Sequence, residues 1–236
     1  MKKTVSFLVL LPMFLFGQTA TENYIKTTNY KVASATSILS PTIAQAKQSI
    51  TYYDGLGRPI QQVLSKQSGT GNNIITPIAY DVFGRQVKEY LPYTTTSSSG
   101  LNYESNALVD VLNFPYYAGQ NPFSEKKLEF SPLNRVLQQG APGTDWAIGS
   151  GHEVKLDYKT NTDIEVKNYS VNAIWSAALG LDTISLTDNG NYILNQLYKT
   201  ITYDENTAPA VKAGTQEFKN KEGQIVLKRT FDAGIE

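Results

Sequence analysis

An all-β fold is what this chain predicts: antiparallel hairpins followed by a small antiparallel sheet or sandwich, with one short helix near residues 106–114. Three observations carry that reading. The composition holds 15 Tyr, 17 Gly and many Thr and Ser among 236 residues, and aromatic and β-branched side chains suit a pleated surface. The stretch Tyr53-Asp54-Gly55-Leu56-Gly57-Arg58 returns as Tyr80-Asp81-Val82-Phe83-Gly84-Arg85, each copy set between apolar, β-prone runs. From Trp146 onward, short β-prone runs alternate with polar turn residues.

The first segment is an address. Lys2 and Lys3 precede an apolar run at residues 5–16, which is too short to span a bilayer as a helix, and Gly17 offers a small residue after it. Residues 1–17 are therefore expected to be a signal peptide. The protein is expected to be exported, to the extracellular space, the cell surface or the periplasm, with no membrane span after the signal is removed. Residues 18–48 read as a leader strand, at 23–32, and a linker broken by Pro41.

Residues 49–145 form the hairpin region. Residues 49–53 and 59–66 read as a strand and its return. Asp54 suits the turn because its carboxylate accepts from nearby backbone, and Gly57 because glycine takes positive φ without steric cost. Residues 74–80 and 86–91 are expected to repeat that hairpin around Asp81 and Gly84. In residues 106–114, Leu108, Val109 and Leu112 recur at helical spacing. A worn copy stands at Phe130-Ser131-Pro132-Leu133-Asn134-Arg135, with Asn134 in the glycine slot, a residue that tolerates positive φ. Ser131 occupies the aspartate slot, so the backbone shape is expected to recur here without the charged chemistry. Another worn copy runs from Phe218 to Gln224, turned by Gly223, with one residue extra. Gly140-Ala141-Pro142-Gly143 reads as a boundary. Residues 146–236 read as an antiparallel β region, with strands at 153–158, 163–169, 183–187, 192–202, 215–218 and 224–231. Asp188-Asn189-Gly190-Asn191 reads as a hairpin turn between two of them. The sequence stops at Glu236 just after a strand, and a truncated C-terminus is expected.

Composition narrows function. Acidic and basic residues balance at 21 each, giving a formal net charge of zero, so no basic field exists to hold nucleic acid. The absence of cysteine excludes disulfides, thiolate metal sites and cysteine nucleophiles. The single histidine, His152, lies two residues from Ser150, a poor spacing for a catalytic triad. No phosphate loop, metalloprotease or EF-hand motif occurs, and the Asp188 turn is a weak calcium candidate against a plain hairpin. Trp146 and Trp175 read as core or inter-sheet anchors. No catalytic, cofactor-binding or metal-binding residues are assigned. The singled-out residues are structural: Tyr53, Asp54, Gly57, Arg58, Tyr80, Asp81, Gly84, Arg85, Asn134, Arg135 and Gly223.

The two Tyr-Asp-x-x-Gly-Arg stretches resemble the signature of RHS/YD-repeat proteins. Asn121-Pro122-Phe123-Ser124-Glu125-Lys126, the block Ser131-Pro132-Leu133-Asn134-Arg135 with its Gly140-Ala141-Pro142-Gly143 tail and Trp146, and the stretch from Glu217 to Arg229 resemble something narrower: the uncharacterised N-terminal domain that precedes RHS repeats in exported Gram-negative proteins. The resemblance implies a large secreted or surface protein whose hairpins wind into a β-shell able to enclose a C-terminal toxin. The partner it implies is the remainder of the same polypeptide. The expected function is a non-enzymatic structural domain. The alternatives are an adhesin-like or glycan-binding module, with a cell-surface glycan or protein as partner, and a secreted hydrolase.

Overall fold

Side chains alternate inward and outward along the strands that flank the first turn, and this alternation builds the first sheet. The structure is a computed structural model describing residues 21–95, 100–206 and 214–231. The expected signal peptide and the end at Glu236 lie outside the described residues. The chain divides into two units. The first holds the described residues of Met1–Ile78 and Leu91–Phe114, and the second those of Ala79–Tyr90 and Pro115–Glu236.

In the first unit, β1 (Asn23–Tyr30), β2 (Ala46–Tyr53), β3 (Pro59–Leu64) and β4 (Asn73–Pro77) run antiparallel in that order. After β5 (Lys88–Tyr90), which belongs to the second unit, β6 (Tyr93–Thr95) returns to pair with β4 and completes a five-stranded sheet. Ile50, Tyr52, Val63, Ile75 and Tyr93 are buried together with Leu101, Ala107 and Val111 from the segment that follows. The expected leader strand is thus β1, paired along its whole length with β2.

That following segment is held to the sheet by side chains that imitate backbone. The buried Gln61 amide donates to the Glu104 carbonyl and accepts from the Glu104 N–H, each at 2.9 Å. The Tyr52 hydroxyl donates to the Leu101 carbonyl at 2.5 Å, and the Asn73 amide donates to that of Gly100. A buried amide that satisfies both its ends avoids the cost of an unmade bond. The expected helix is α1 (Ala107–Leu112). Its buried face, however, is Ala107 and Val111, while Leu108, Val109 and Leu112 are exposed. A helix this short contributes one i, i+4 pair, and the small alanine permits close approach to the sheet.

The second unit is a seven-stranded antiparallel sheet. Its strands are β7 (Phe123–Leu128), β8 (Val136–Gly140), β9 (Val154–Thr160), β12 (Tyr198–Tyr203), β13 (Gly214–Lys219) and β14 (Ile225–Phe231), together with β5. The order is β14-β13-β12-β9-β8-β7-β5. The boundary expected at residues 145/146 falls inside this sheet, since β8 and β9 pair across it. Between β9 and β12 in sequence, β10 (Lys167–Ser176) and β11 (Leu181–Asn191) form a separate two-stranded arm. Its root is cored by Val166, Leu197 and Phe218, with Tyr192, Val226 and Leu227 against them.

Three expectations are corrected here. Residues 163–166 and 192–197 are loops, not strand. Ile164 and Asn195 take φ of 62° and 64°, and the second of these loops wraps the fully buried Asn161. Its amide donates to the Ile193 carbonyl at 2.9 Å and its side-chain oxygen accepts from the Leu197 N–H at 2.7 Å. An isolated apolar run does not reveal such an anchor. Secondly, Asp188-Asn189-Gly190-Asn191 is not a hairpin turn. It lies at the end of β11 opposite Lys167 and Tyr169, where the register shifts as in a bulge. The hairpin turn is instead the apolar stretch before Gly180, whose N–H donates to the Ser176 carbonyl at 2.9 Å. Thirdly, both tryptophans are exposed, Trp146 at 43% and Trp175 at 62%, rather than core anchors.

Candidate functional site: a recurring locked turn

The first turn joins β2 to β3. The Asp54 N–H donates to the Arg58 carbonyl and the Gly57 N–H to the Asp54 carbonyl, at 2.9 and 3.0 Å. One Asp54 oxygen accepts from the backbone N–H groups of Leu56 and Arg58, both at 2.9 Å. The other takes the Arg58 guanidinium through Nε at 2.8 Å and Nη2 at 2.7 Å. One carboxylate therefore satisfies the turn amides and holds the arginine flat beside them, a two-pronged geometry that lysine could not supply. The hydrogen bond from the Arg58 N–H, followed by those from the Arg58 side chain and the Leu56 N–H, holds the Asp54 carboxyl below its usual range against the opposing effect of burial.

Gly57 sits at φ 76° with open space where a Cβ would stand, so the position requires glycine for its backbone alone. Gly57→Val is expected to destabilise the first unit by about 1–2 kcal/mol. It should do so more than Arg58→Ala, which leaves the two backbone donors on Asp54; urea unfolding of each variant measures the order.

The second turn reproduces the first bond for bond. Asp81 accepts from the Phe83 and Arg85 N–H groups at 2.9 Å and from Arg85 Nε at 2.8 Å, and Gly84 takes φ 77°. The expectation that it joins a hairpin is corrected. The strand before it, β4, pairs with β3 and β6, whereas the strand after it, β5, pairs with β7. The same turn serves here as the connection between strands of two sheets.

The third turn overturns the expectation that charge does not recur. The Asn134 N–H donates to the Ser131 carbonyl at 3.1 Å, and Asn134 takes φ 51°, as the glycine slot requires. The carboxylate comes from two residues earlier. Both Glu129 oxygens accept from Arg135 Nε at 3.0 Å, and one also from Nη2 at 2.8 Å. Ser131 donates its hydroxyl to Glu129 at 2.7 Å. The Glu129 N–H donates to the Arg135 carbonyl at 2.9 Å, as Asp54 does to Arg58, so the two extra residues lie within the loop. The Arg135 guanidinium also lies over the Tyr158 ring at 4.5 Å, a favourable cation–π placement.

The Arg135 side chain, then the Ser131 hydroxyl, pull the Glu129 carboxyl down to about 2. Its folded pKa is thus lowered from an ordinary 4.5. The stabilisation is fully present above that ordinary value and is lost as pH falls towards about 2. Acid titration of the second unit is expected to show a slope in that window which Glu129→Gln removes; thermal melts at stepped pH measure it.

The fourth turn corrects the sequence frame. The Asn220 N–H donates to the Gln224 carbonyl and the Gly223 N–H to the Asn220 carbonyl. The Gln224 N–H donates to Asn220 Oδ1, and Asn220 Nδ2 to Gln224 Oε1, both at 2.8 Å. The motif therefore starts at Lys219 and has no extra residue; Asn220 and Gln224 are a neutral rendering of the Asp–Arg pair. A fifth beginning, Tyr203-Asp204, went unread: the Asn206 N–H donates to Asp204 Oδ1 at 3.1 Å, as Leu56 does to Asp54. The spacing of polar side chains about a glycine or asparagine, rather than the letters Tyr-Asp, is the signal that would have found these.

The second and third turns are neighbours in one unit. Arg85 Nη1 donates to Asn134 Oδ1 at 2.6 Å, and the Arg85 guanidinium lies 5.0 Å from the centre of the Phe83 ring. Phe83, Arg85, Phe130, Ser131, Pro132 and Asn134 line an open cleft of about 340 Å³, with Phe83 and Phe130 exposed.

The remaining candidates are placed as follows. Ser150 accepts from the His152 backbone N–H at 3.2 Å, which makes it a turn residue. The His152 ring packs on Trp146 at 5.3 Å, with Nδ1 3.2 Å from the Glu205 carbonyl oxygen. Asp188 is taken up by Lys167 at 3.0 Å and by the Gly190 N–H at 2.8 Å. No group of metal-ligating side chains occurs among the described residues, and no helix of the described residues is long and apolar enough to cross a membrane.

Residues 26–160, more than half of the chain, match the model of one protein family, described as a domain of unknown function (DUF6443). No curated protein and no solved structure matches the chain.

Proposed function

We propose, from the premise that this chain belongs to the DUF6443 family, that it is a non-enzymatic structural domain at the N-terminal end of an exported RHS/YD-repeat protein, where it contributes to a β-shell or its plug. The observation that carries this reading is the locked turn. Its bond pattern is built from Asp–Arg twice, from Glu129–Arg135 once and from Asn220–Gln224 once. A site for chemistry would need its charges kept in every copy; a joint between strands needs only the bonds. The sheet of the second unit also ends at β14, which has only β13 beside it among the described residues, an edge of the kind that a further strand extends. The partner is then the remainder of the same polypeptide.

Mass spectrometry of the polypeptide recovered from the producing cell tests this. The expected species is far larger than the 26.1 kDa of this chain, begins near residue 18 and continues into repeated Tyr-Asp turns. A mature product no larger than the chain itself would overturn the shell role. The cleft between the second and third turns favours one other reading, a glycan-binding surface module. Two exposed phenylalanine rings beside Arg85 and Asn134 are the kind of face on which a sugar ring stacks. Glycan-array binding that Phe83→Ala and Phe130→Ala abolish would support it, and an array without signal would remove it.

A further inference from the structure

The two-stranded arm has one apolar face and one polar face, and the strand register sorts them. Tyr169, Val171, Ala173 and Trp175 of β10 share a face with their cross-strand partners Asp188, Leu186, Ile184 and Asp182 of β11. The opposite face carries Ser170, Asn172, Ile174 and Ser176 with Thr187, Ser185, Thr183 and Leu181, so polar side chains dominate it with two apolar ones among them. None of the described residues covers the apolar face: Tyr169 is 52% exposed, Val171 66%, Trp175 62%, Ile184 74% and Leu186 67%. An alternation this regular belongs to a sheet that has a core to face, yet the described residues place none on this side of the arm.

We infer that the apolar face of the arm is the dimerisation surface of this chain, covered by the same face of a second copy. Area is the first argument. Five large side chains exposed to this degree offer roughly 600–700 Å², close to the ~800 Å² per partner of a standard interface and at or above the largest patch on a typical monomer. Shape is the second. A two-fold contact brings a patch onto itself, and one centred on Val171 and Leu186 sets Ala173, the one small side chain in the row, against the Tyr169 ring of the second copy. Charge is the third. The face has Asp182 at its outer end and Lys167, bound to Asp188, at its root. With two copies antiparallel, the outer end of one arm meets the root of the other, and Asp182 comes to Lys167. Those carboxylates on the face also oppose an anionic bilayer as the occupant.

Sedimentation of the purified full chain over a range of concentrations tests the inference, with two variants beside it. The wild-type chain is expected to reach twice its monomer mass. Ile184→Lys, at an exposed position that folding does not require, is expected to weaken association at least about tenfold. Asn172→Lys, on the polar face, should leave it unchanged. Residues 1–17 are present in every sample, so association through them would not respond to Ile184→Lys. Circular dichroism reports whether each variant keeps the wild-type fold. A wild-type chain that stays at monomer mass at every concentration overturns the inference. So does a dimer that Ile184→Lys and Asn172→Lys affect equally, or a monomer that floats with phosphatidylcholine–phosphatidylglycerol vesicles.

Discussion

Replacing Phe218 by alanine is expected to destabilise the second unit by about 3–5 kcal/mol, the range for deleting a buried aromatic ring. Phe218 has no exposed surface and packs on Val166 and Leu197 at the root of the arm. Its ring is also flanked by two cations, with Lys199 Nζ at 5.2 Å and the Arg229 guanidinium at 5.3 Å from its centre. The substitution therefore removes transfer energy, leaves a cavity and lets water reach a buried ion cluster. Phe218→Leu, which keeps most of the volume, should cost far less. Urea unfolding followed by intrinsic fluorescence measures both; similar midpoints for Phe218→Ala and the wild-type chain would refute the core assignment.

The second large effect is expected at Glu165. One of its oxygens meets Lys199 Nζ at 2.5 Å and Arg229 Nη2 at 2.8 Å, and the other accepts from the Thr162 N–H at 2.8 Å. Burial pushes the Glu165 carboxyl up, but the bonds from Lys199 and from Thr162 outweigh it and hold the group below its usual range. Glu165→Ala takes the shared carboxylate away from two largely buried cations, Lys199 and Arg229, a loss of about 3 kcal/mol or more. Replacing the ions together, as Glu165→Leu with Lys199→Met and Arg229→Met, should recover most of it, since a well-packed apolar cluster avoids the desolvation of all three. With its folded pKa depressed, Glu165 stabilises above the ordinary carboxylate range, and that stability is lost as pH falls through the folded value. The wild-type chain should therefore unfold in acid more readily than the triple variant.

Legibility differed between backbone and partnership. The strands about Asp54 and the strand-rich second half were readable because alternation and turn residues are local signals. Helix α1 was readable as a helix, but its buried face was not, since five apolar residues in so short a segment do not say which of them meets the sheet. The pairing of β5 with β7 rather than with β4 was hidden for a related reason. The second turn has the same six-residue pattern as the first, and nothing within it records which sheet its second strand joins. Glu129 was missed because the motif was read by position. The turn selects by bond, and a carboxylate two residues upstream stands across from the same arginine when the loop is two residues longer. Asn161 and Gln61, which anchor a loop pair and a whole segment, look like ordinary surface residues until their burial is known.

The second turn has one more consequence, in the order of events as the chain emerges. Because it carries the polypeptide out of the first sheet before that sheet is complete, β6 and α1 arrive only after β5 has been laid down for the other unit. The first unit cannot close until residue 114 is available, and β4 waits with one edge unpaired meanwhile. A chain cut after residue 78 would hold four of five strands and lack the segment that Gln61 and Tyr52 grip. Maturation of the two units is thereby interleaved in time, and neither can be inherited, exchanged or excised as a single run of sequence.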